Sequence, residues 1–524
     1  MGRPPRRARG GAGGVGPVRT WAVTGLLTLA AAFILLPRLG GPFALDQDTQ
    51  RIFLAQRPLP DLLLHRGGDN RHPEGFYLVL KTLSVFGSGE AASRLPAALF
   101  GILCVAALHR WALARVPQAE AAGAAACLLL NPAFLAHSRE VGPVTLFLLL
   151  VIVSTGAWER VLKRGGARDG VVYALSAGAM MHVYYFGALV LALHAGALAL
   201  TWRRWERSRA GLAAWAGALL AALPACAMLV PVLREEGGLR ALAASHPGLV
   251  WGDLPAGVFA RGAGELLFPG PALTLLLAAA GFGAWKVARG GEGGGPRTAD
   301  PARWLWLGWA LAPALGLALL PWMRMKAYYF LWTLPAVSAL VCAGAGSAGR
   351  SLMGRVNPAR ASLAAALLVG LAAGAGAGES WRRRAEFYAP DPRADLPRVV
   401  ARIRAEGAGR VVVFDPHFLH SLFVYYSARN PGEALRSCRS GGLPFVECRY
   451  EDWRVLGLTL TAAFAPDWGG RSVDFMKRLA SQGDFWYLED PDFVNPEFHE
   501  RMSRQCSKAA EFPKHTLYLC GRDR

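Results

Sequence analysis

Between residues 21 and 378 the chain repeats one pattern: an apolar stretch of helix length, a short polar turn, then another apolar stretch. A hydrocarbon core about 30 Å thick takes about 20 apolar residues to cross as a helix, and a helix satisfies its own backbone polar groups there. "WAVTGLLTLAAAFILLP" (21–37) is the first such stretch. Only 18% of the chain is charged while 53% is hydrophobic, against about 25% charged in ordinary soluble domains. After residue 378 the texture changes to charged segments with short β-like runs. The reading is a basic N-terminus (1–20), a polytopic all-α transmembrane domain (21–378) and a small C-terminal α/β domain (379–524). In the last part "DLPRVVARIRAEG" and "HFLHSLFVYYSARN" read as helices, and "RVVVFD", "DFWYLED" and "HTLYLC" as strands.

The net charge of +20 does not mark a nucleic-acid binder. The cations sit in short loops between apolar stretches, such as "ERVLKRGGARDG" (159–170), "WRRWERSRAG" (202–211) and "GRSLMGRVNPAR" (349–360). The turns near 138–142 and 181–186 carry far fewer. That alternation is the positive-inside pattern, and with the N-terminus inside it accommodates about eleven spans. An odd count puts the C-terminal domain on the extracytoplasmic side of a cell (inner) membrane. Cys438, Cys448, Cys506 and Cys520 all lie in that domain, so an oxidising compartment predicts two disulfides, with three pairings open. Cys104, Cys127, Cys226 and Cys342 fall in apolar stretches and read as packing residues.

The same topology sets residues 38–92 outside. There "FALDQDTQRIF" (43–53) leaves the first apolar stretch with two carboxylates, Asp46 and Asp48. "DNRHPEGFYLVLK" (69–81) adds Arg71, His72 and Glu74. "NPAFLAHSREVGPVTLF" (131–147) adds Arg139 and Glu140, "MHVYYFGALV" (181–190) adds His182 and Tyr185, and "WMRMKAYYFLWTLP" (322–335) adds Arg324 and Lys326. Ionisable groups at hydrocarbon are costly, so their gathering on one face points to a site. Each also has a plainer reading: solvated loop carboxylates, a helix-start charge at Asp48, an ion pair between Arg139 and Glu140, interfacial packing at His182 and Tyr185, and snorkelling cations at 324 and 326. "GGEGGG" (290–295) lacks a following Lys-Ser/Thr and is a linker, not a phosphate loop.

The ordered set resembles the C-type superfamily of membrane glycosyltransferases, and within it the dolichyl-phosphate-mannose-protein mannosyltransferase type and its bacterial relatives. Those show Asp-Glu after the first span, a His-Pro-Pro stretch, a Gly-x-x-Glu…Arg-Leu-Pro stretch, a Gln-Glu-Ala-Arg turn, a His-Tyr turn and an Arg-Tyr…Pro stretch. This chain departs at Gln47, Glu74 and Gly142, where the pattern carries Glu, Pro and Arg. The resemblance implies transfer of a sugar from a polyprenyl-phosphate donor to a protein, lipid or glycan hydroxyl, with Asp46 as base and the other residues above binding donor or acceptor. It leaves a divalent metal open, with Glu140 or His182 as its ligand. A phosphate leaving group needs no general acid, so an inverting displacement requires one base beside the acceptor and positive charge beside the phosphate. Arg71, Arg324 and Lys326, then Arg139, are the candidate cations. The rival is a non-catalytic or transporter-like protein on the same scaffold, which should carry charges in mid-span or paired broken helices; here they gather at span ends.

Overall fold

The computed structural model of the protein describes residues 17–63 (apart from 38, 42, 44 and 45), 73–202 (apart from 88), 208–235, 272–289, 305–312, 331–352 and 358–383, and, in the C-terminal part, 395–406, 411–415, 419–440, 445–458, 468–489, 500, 504–512 and 515–521. Arg71, His72, Arg324, Lys326 and the 290–295 linker lie outside these residues. So do residues 236–271, 290–304 and 313–330, within the stretch expected to hold about eleven spans. The chain divides into two compact units. One comprises residues 1–37, 98–138 and 144–380, and the other 38–97, 139–143 and 381–524.

The first unit is helical. Among the described residues four helices are long and apolar enough to cross a membrane: Glu90–Leu113 (which begins in the second unit), Val144–Arg164, Arg209–Val230 and Leu331–Leu352. Shorter apolar helices run over Thr20–Leu35, Gly187–Leu200 and Ala359–Ala375. Leu26, Leu29, Phe33, Leu220, Leu367 and Leu371 are exposed on them, an outward apolar surface that suits lipid and not water. Between helices, small residues allow close approach, the usual device where hydrophobic burial cannot drive association. A side chain at Gly178 would collide with Ala221, and one at Gly344 with the Ala279 carbonyl. Several buried polar groups in this unit are paired: Arg115 with Glu159, Arg350 with Glu120, and His194 with Tyr173 and Thr155. His194 is fully buried against Trp158.

The second unit is built on a seven-stranded mixed sheet in the order β2-β3-β4-β1-β5-β7-β6. Its strands are β1 (Val411–Asp415), β2 (Arg439–Ser440), β3 (Phe445–Tyr450), β4 (Trp453–Leu458), β5 (Phe485–Glu489), β6 (Cys506–Glu511) and β7 (Thr516–Cys520). β1 is central and parallel to both β4 and β5, while the outer pairs are antiparallel. A central strand covered on both faces should read as an unbroken apolar run, and "VVVFD" does. On one face Val413, Leu456 and Tyr487 pack with Met476 and Leu479 of the Trp468–Gln482 helix. On the other, Phe414 meets Phe423 of the Leu419–Ser427 helix at 5.0 Å between ring centroids, and Phe423 meets Trp453 at 5.4 Å. The cysteines form two disulfides, Cys438–Cys448 and Cys506–Cys520, the second joining directly opposed residues of β6 and β7. Cys104, Cys127 and Cys342 are free and buried, and Cys226 is free and exposed.

Candidate functional site

The second unit also gathers the start of the first loop, and there the polar residues converge. Helix Asp46–Gln56 packs against helix Gly75–Leu83 and helix Leu419–Ser427. Its C-terminal end is held by Lys81, whose Nζ donates to the carbonyls of Ala55 (3.3 Å) and Arg57 (2.8 Å), a cation where the helix dipole is negative. Asp46 is the first residue of this helix.

Asp48 and Arg51, three residues apart and so on one helical face, hold the turn 139–143 by a single residue. Asp48 Oδ1 accepts the Val141 N–H at 2.8 Å, and Arg51 Nη1 donates to the Val141 carbonyl at 2.6 Å. Both backbone groups of Val141 are thereby satisfied. Gly142 belongs to the same fit: a Cβ there would lie 3.1 Å from Arg51 Nη1.

The second partner of Asp48 is Arg94, in the first turns of helix Glu90–Leu113. Its Nη2 stands 3.9 Å from Asp48 Oδ2, and its Nη1 donates to the carbonyls of Leu39 (2.9 Å) and Gly41. The guanidinium also lies 4.7 Å from the Phe43 ring. Arg94 thus ties the chain entering the loop to the helix leaving it. Helix Leu419–Ser427 closes the other side. The Phe43 N–H donates to Tyr426 Oη at 2.7 Å, Tyr426 reaches Glu90 at 3.5 Å, Tyr425 packs edge-on to Phe43 at 5.1 Å, and Thr49 and Ser421 share a buried hydroxyl hydrogen bond of 3.2 Å.

Asp48 is only 2% exposed. Burial, and then the neighbouring Glu140 carboxylate, push its pKa up to about 6, while Arg51, Arg94 and the Val141 N–H pull the other way. Desolvation therefore outweighs two cations, as it does where a carboxylate lies deep enough. The result is a carboxyl that exchanges its proton near neutrality.

The structure brings together Asp48, Glu74, Arg139 and Glu140 in this unit. Glu74 is buried ahead of helix Gly75–Leu83, and Arg139 and Glu140 are half-buried on the turn that Asp48 holds. His182 and Tyr185 belong to the first unit. His182 Nε2 donates to the Ala221 carbonyl at 3.0 Å, so one ring nitrogen is spent on helix packing. Glu140 and His182, the two candidate metal ligands, stand in different units. Among the described residues the one His/Cys/Asp/Glu group close enough to hold an ion is His420 with Cys438 and Cys448. Those cysteines are bonded to each other, which removes the thiolates a metal would take. Sequence reasoning missed Arg51, Arg94 and Tyr426. The signal for Arg51 is its three-residue spacing from Asp48; Arg94 lies in "SRLP" (93–96), which matches the Arg-Leu-Pro of the resembled pattern.

Residues 70–228 match the sequence profile of the family described as dolichyl-phosphate-mannose-protein mannosyltransferase. No curated protein matches the chain by sequence. The fold is similar to ArnT from Cupriavidus metallidurans bound to undecaprenyl phosphate, with a TM-score of 0.55 and 12% identity over 96% of this chain and 97% of that one. The apo form of the same protein gives 0.56 with the same identity and coverage. It is also similar to the archaeal oligosaccharyltransferase AglB from Archaeoglobus fulgidus, in complex with an inhibitory peptide and a dolichol-phosphate. There the TM-score is 0.53 and the identity 13%, over 90% of this chain and 69% of that one.

Proposed function

The chain has the fold of the C-type membrane glycosyltransferase superfamily, and from that premise we propose that it is an integral membrane glycosyltransferase. Its donor is a polyprenyl-phosphate sugar and its acceptor a hydroxyl of a protein, lipid or glycan on the extracytoplasmic face. The observation that carries this reading is the convergence on Asp48. Three separate stretches of the superfamily's ordered pattern, "DQDT", "EAASRLP" and "SREVG", meet at one buried carboxylate through Val141, Arg94 and Glu140. Nothing in simple packing requires three distant polar stretches to share one ion-pair network, and a buried network costs stability unless each member is satisfied.

In the proposed reaction the acceptor oxygen attacks the anomeric carbon as the bond to the phosphate oxygen breaks. The hydroxyl proton passes to a carboxylate, and the polyprenyl phosphate leaves as an anion. One displacement inverts the anomeric centre, unlike the two-carboxylate retaining scheme. Asp46, at the head of the helix, is the proposed base. Asp48 is already engaged through an N–H and a guanidinium, so it fixes the helix and the 139–143 turn in register. Arg71, Arg324 and Lys326, with Arg139, are proposed to face the departing phosphate. His72, Glu74, Glu140, His182 and Tyr185 complete the proposed donor and acceptor contacts.

The lipid that accompanies the protein tests the donor class. Extraction of the protein purified in mild detergent should yield polyprenyl phosphates enriched over bulk phospholipid, by mass spectrometry. Their absence, together with turnover of a nucleotide sugar in lipid-free detergent, would overturn the proposal.

A further inference from the structure

Gly142 and Arg51 divide one small space between them. The Arg51 guanidinium lies against the bare Cα face of Gly142, where a Cβ would stand 3.1 Å from Nη1 and 3.8 Å from Cζ. Nη1 is fixed on the Val141 carbonyl, so the head group cannot swing away without giving up that bond. The 139–143 turn is the place where the resembled pattern carries its arginine, and here that position is glycine. The positive charge is still present, delivered from the facing helix.

We infer that Arg51 supplies, from helix Asp46–Gln56, the guanidinium that contacts the lipid-linked phosphate at this turn, and that Gly142 is the vacancy it occupies. The inference rests on the polyprenyl-phosphate reading of the site. A guanidinium offers five N–H donors in a fixed fork, and the Val141 carbonyl engages Nη1. The fork geometry suits phosphate oxygens better than a lysine point charge does. Asp48, whose carboxylate Arg51 favours, balances the guanidinium charge when no anion is bound.

The test compares binding of undecaprenyl phosphate with binding of undecaprenol, which has the same chain and no phosphate, to the full-length protein in detergent. The wild type should prefer the phosphate. Arg51→Gln should lose about tenfold or more of that preference, the scale of one charge-assisted contact, with undecaprenol binding unchanged. Adding Gly142→Arg to Arg51→Gln should restore most of it, because the new side chain enters the vacated space. On the Arg51 background the same substitution crowds two guanidiniums together and should lower the apparent Tm more than it does in the double variant. A preference that survives Arg51→Gln, or a loss that Gly142→Arg does not repair, overturns the inference while leaving the donor reading intact. A wild type with no preference for phosphate overturns the donor reading and this inference with it. Should Arg51→Gln yield no folded protein, Arg51→Lys carries the comparison. It keeps a cation without the fork, so a severalfold smaller preference is expected, and an unchanged one overturns the inference.

Discussion

Asp48 shows what a buried carboxylate does to a protein's response to pH. Its folded pKa of about 6 lies above the ordinary value of 3.8, chiefly through burial. Between those values the folded protein holds a proton that the unfolded chain has released. The stability this contributes is present below about pH 4 and is lost as pH rises through 6. Asn at this position can still accept the Val141 N–H but cannot titrate. The stability difference between wild type and Asp48→Asn should therefore shift in favour of the wild type by about 1–3 kcal/mol on going from pH 7.5 to pH 4.5. Thermal unfolding at the two pH values measures it, and a pH-independent difference would contradict the assignment. The same substitution removes the counter-charge of Arg94, so it should loosen the hold of Arg94 on the Leu39 and Gly41 carbonyls even where the fold survives. At this scale the sequence was half legible. Asp48, Glu74, Arg139 and Glu140 stood out as costly charges beside apolar stretches. Arg51 and Arg94 did not, because their roles depend on which backbone carbonyls and ring they meet after the loop has closed.

Among the elements, the Leu419–Ser427 helix has the widest reach. One face supplies Phe423 to the sheet, and the other supplies Ser421, Tyr425 and Tyr426 to the segment that precedes and opens the Asp46–Gln56 helix. The helix itself was readable from "HFLHSLFVYYSARN". Its second partner was not, because nothing in a local pattern says that residue 426 hydrogen-bonds residue 43. Tyr426→Phe keeps the ring and deletes the acceptor for the Phe43 N–H. Amide exchange in peptides covering residues 43–52 should then quicken several-fold, with the β1–β5 core unchanged; equal exchange in both proteins would show that the hydroxyl does not hold the loop. The disulfides follow the same logic of legibility. Four cysteines in one domain announced two bridges, but three pairings fitted, and only the antiparallel register of β6 with β7 places Cys506 opposite Cys520. Replacing that pair with serine reopens a loop of 14 residues and should cost about 3 kcal/mol, read as a fall in denaturant midpoint; no change would mean that the edge hairpin adds nothing to the domain's cooperativity.

For the whole molecule, the sequence pattern separated an apolar helical part from a C-terminal α/β part, because hydrocarbon imposes a length and composition that soluble folds do not. A linear boundary near residue 378 does not capture the compact units, since residues 38–97 and 139–143 cluster with the C-terminal part. Loops are assigned to a domain by what they pack against, and composition carries no record of that. In the proposed topology this second unit lies on the extracytoplasmic side. A single cysteine introduced on the exposed turn at Glu451–Asp452 should react with an impermeant maleimide added outside intact cells, and labelling confined to inverted vesicles would reverse the topology. In the proposed mechanism a carboxylate at the head of the Asp46–Gln56 helix takes the acceptor's proton during transfer from a lipid-linked sugar. The direct measurement is the release of sugar from a panel of synthetic polyprenyl-phosphate sugars by the purified protein, wild type against Asp46→Asn, with equal folding verified by thermal unfolding. Turnover of at least one donor by the wild type is expected, with a loss of about 100-fold or more in the variant; undiminished turnover by folded Asp46→Asn would contradict the role of Asp46 as base.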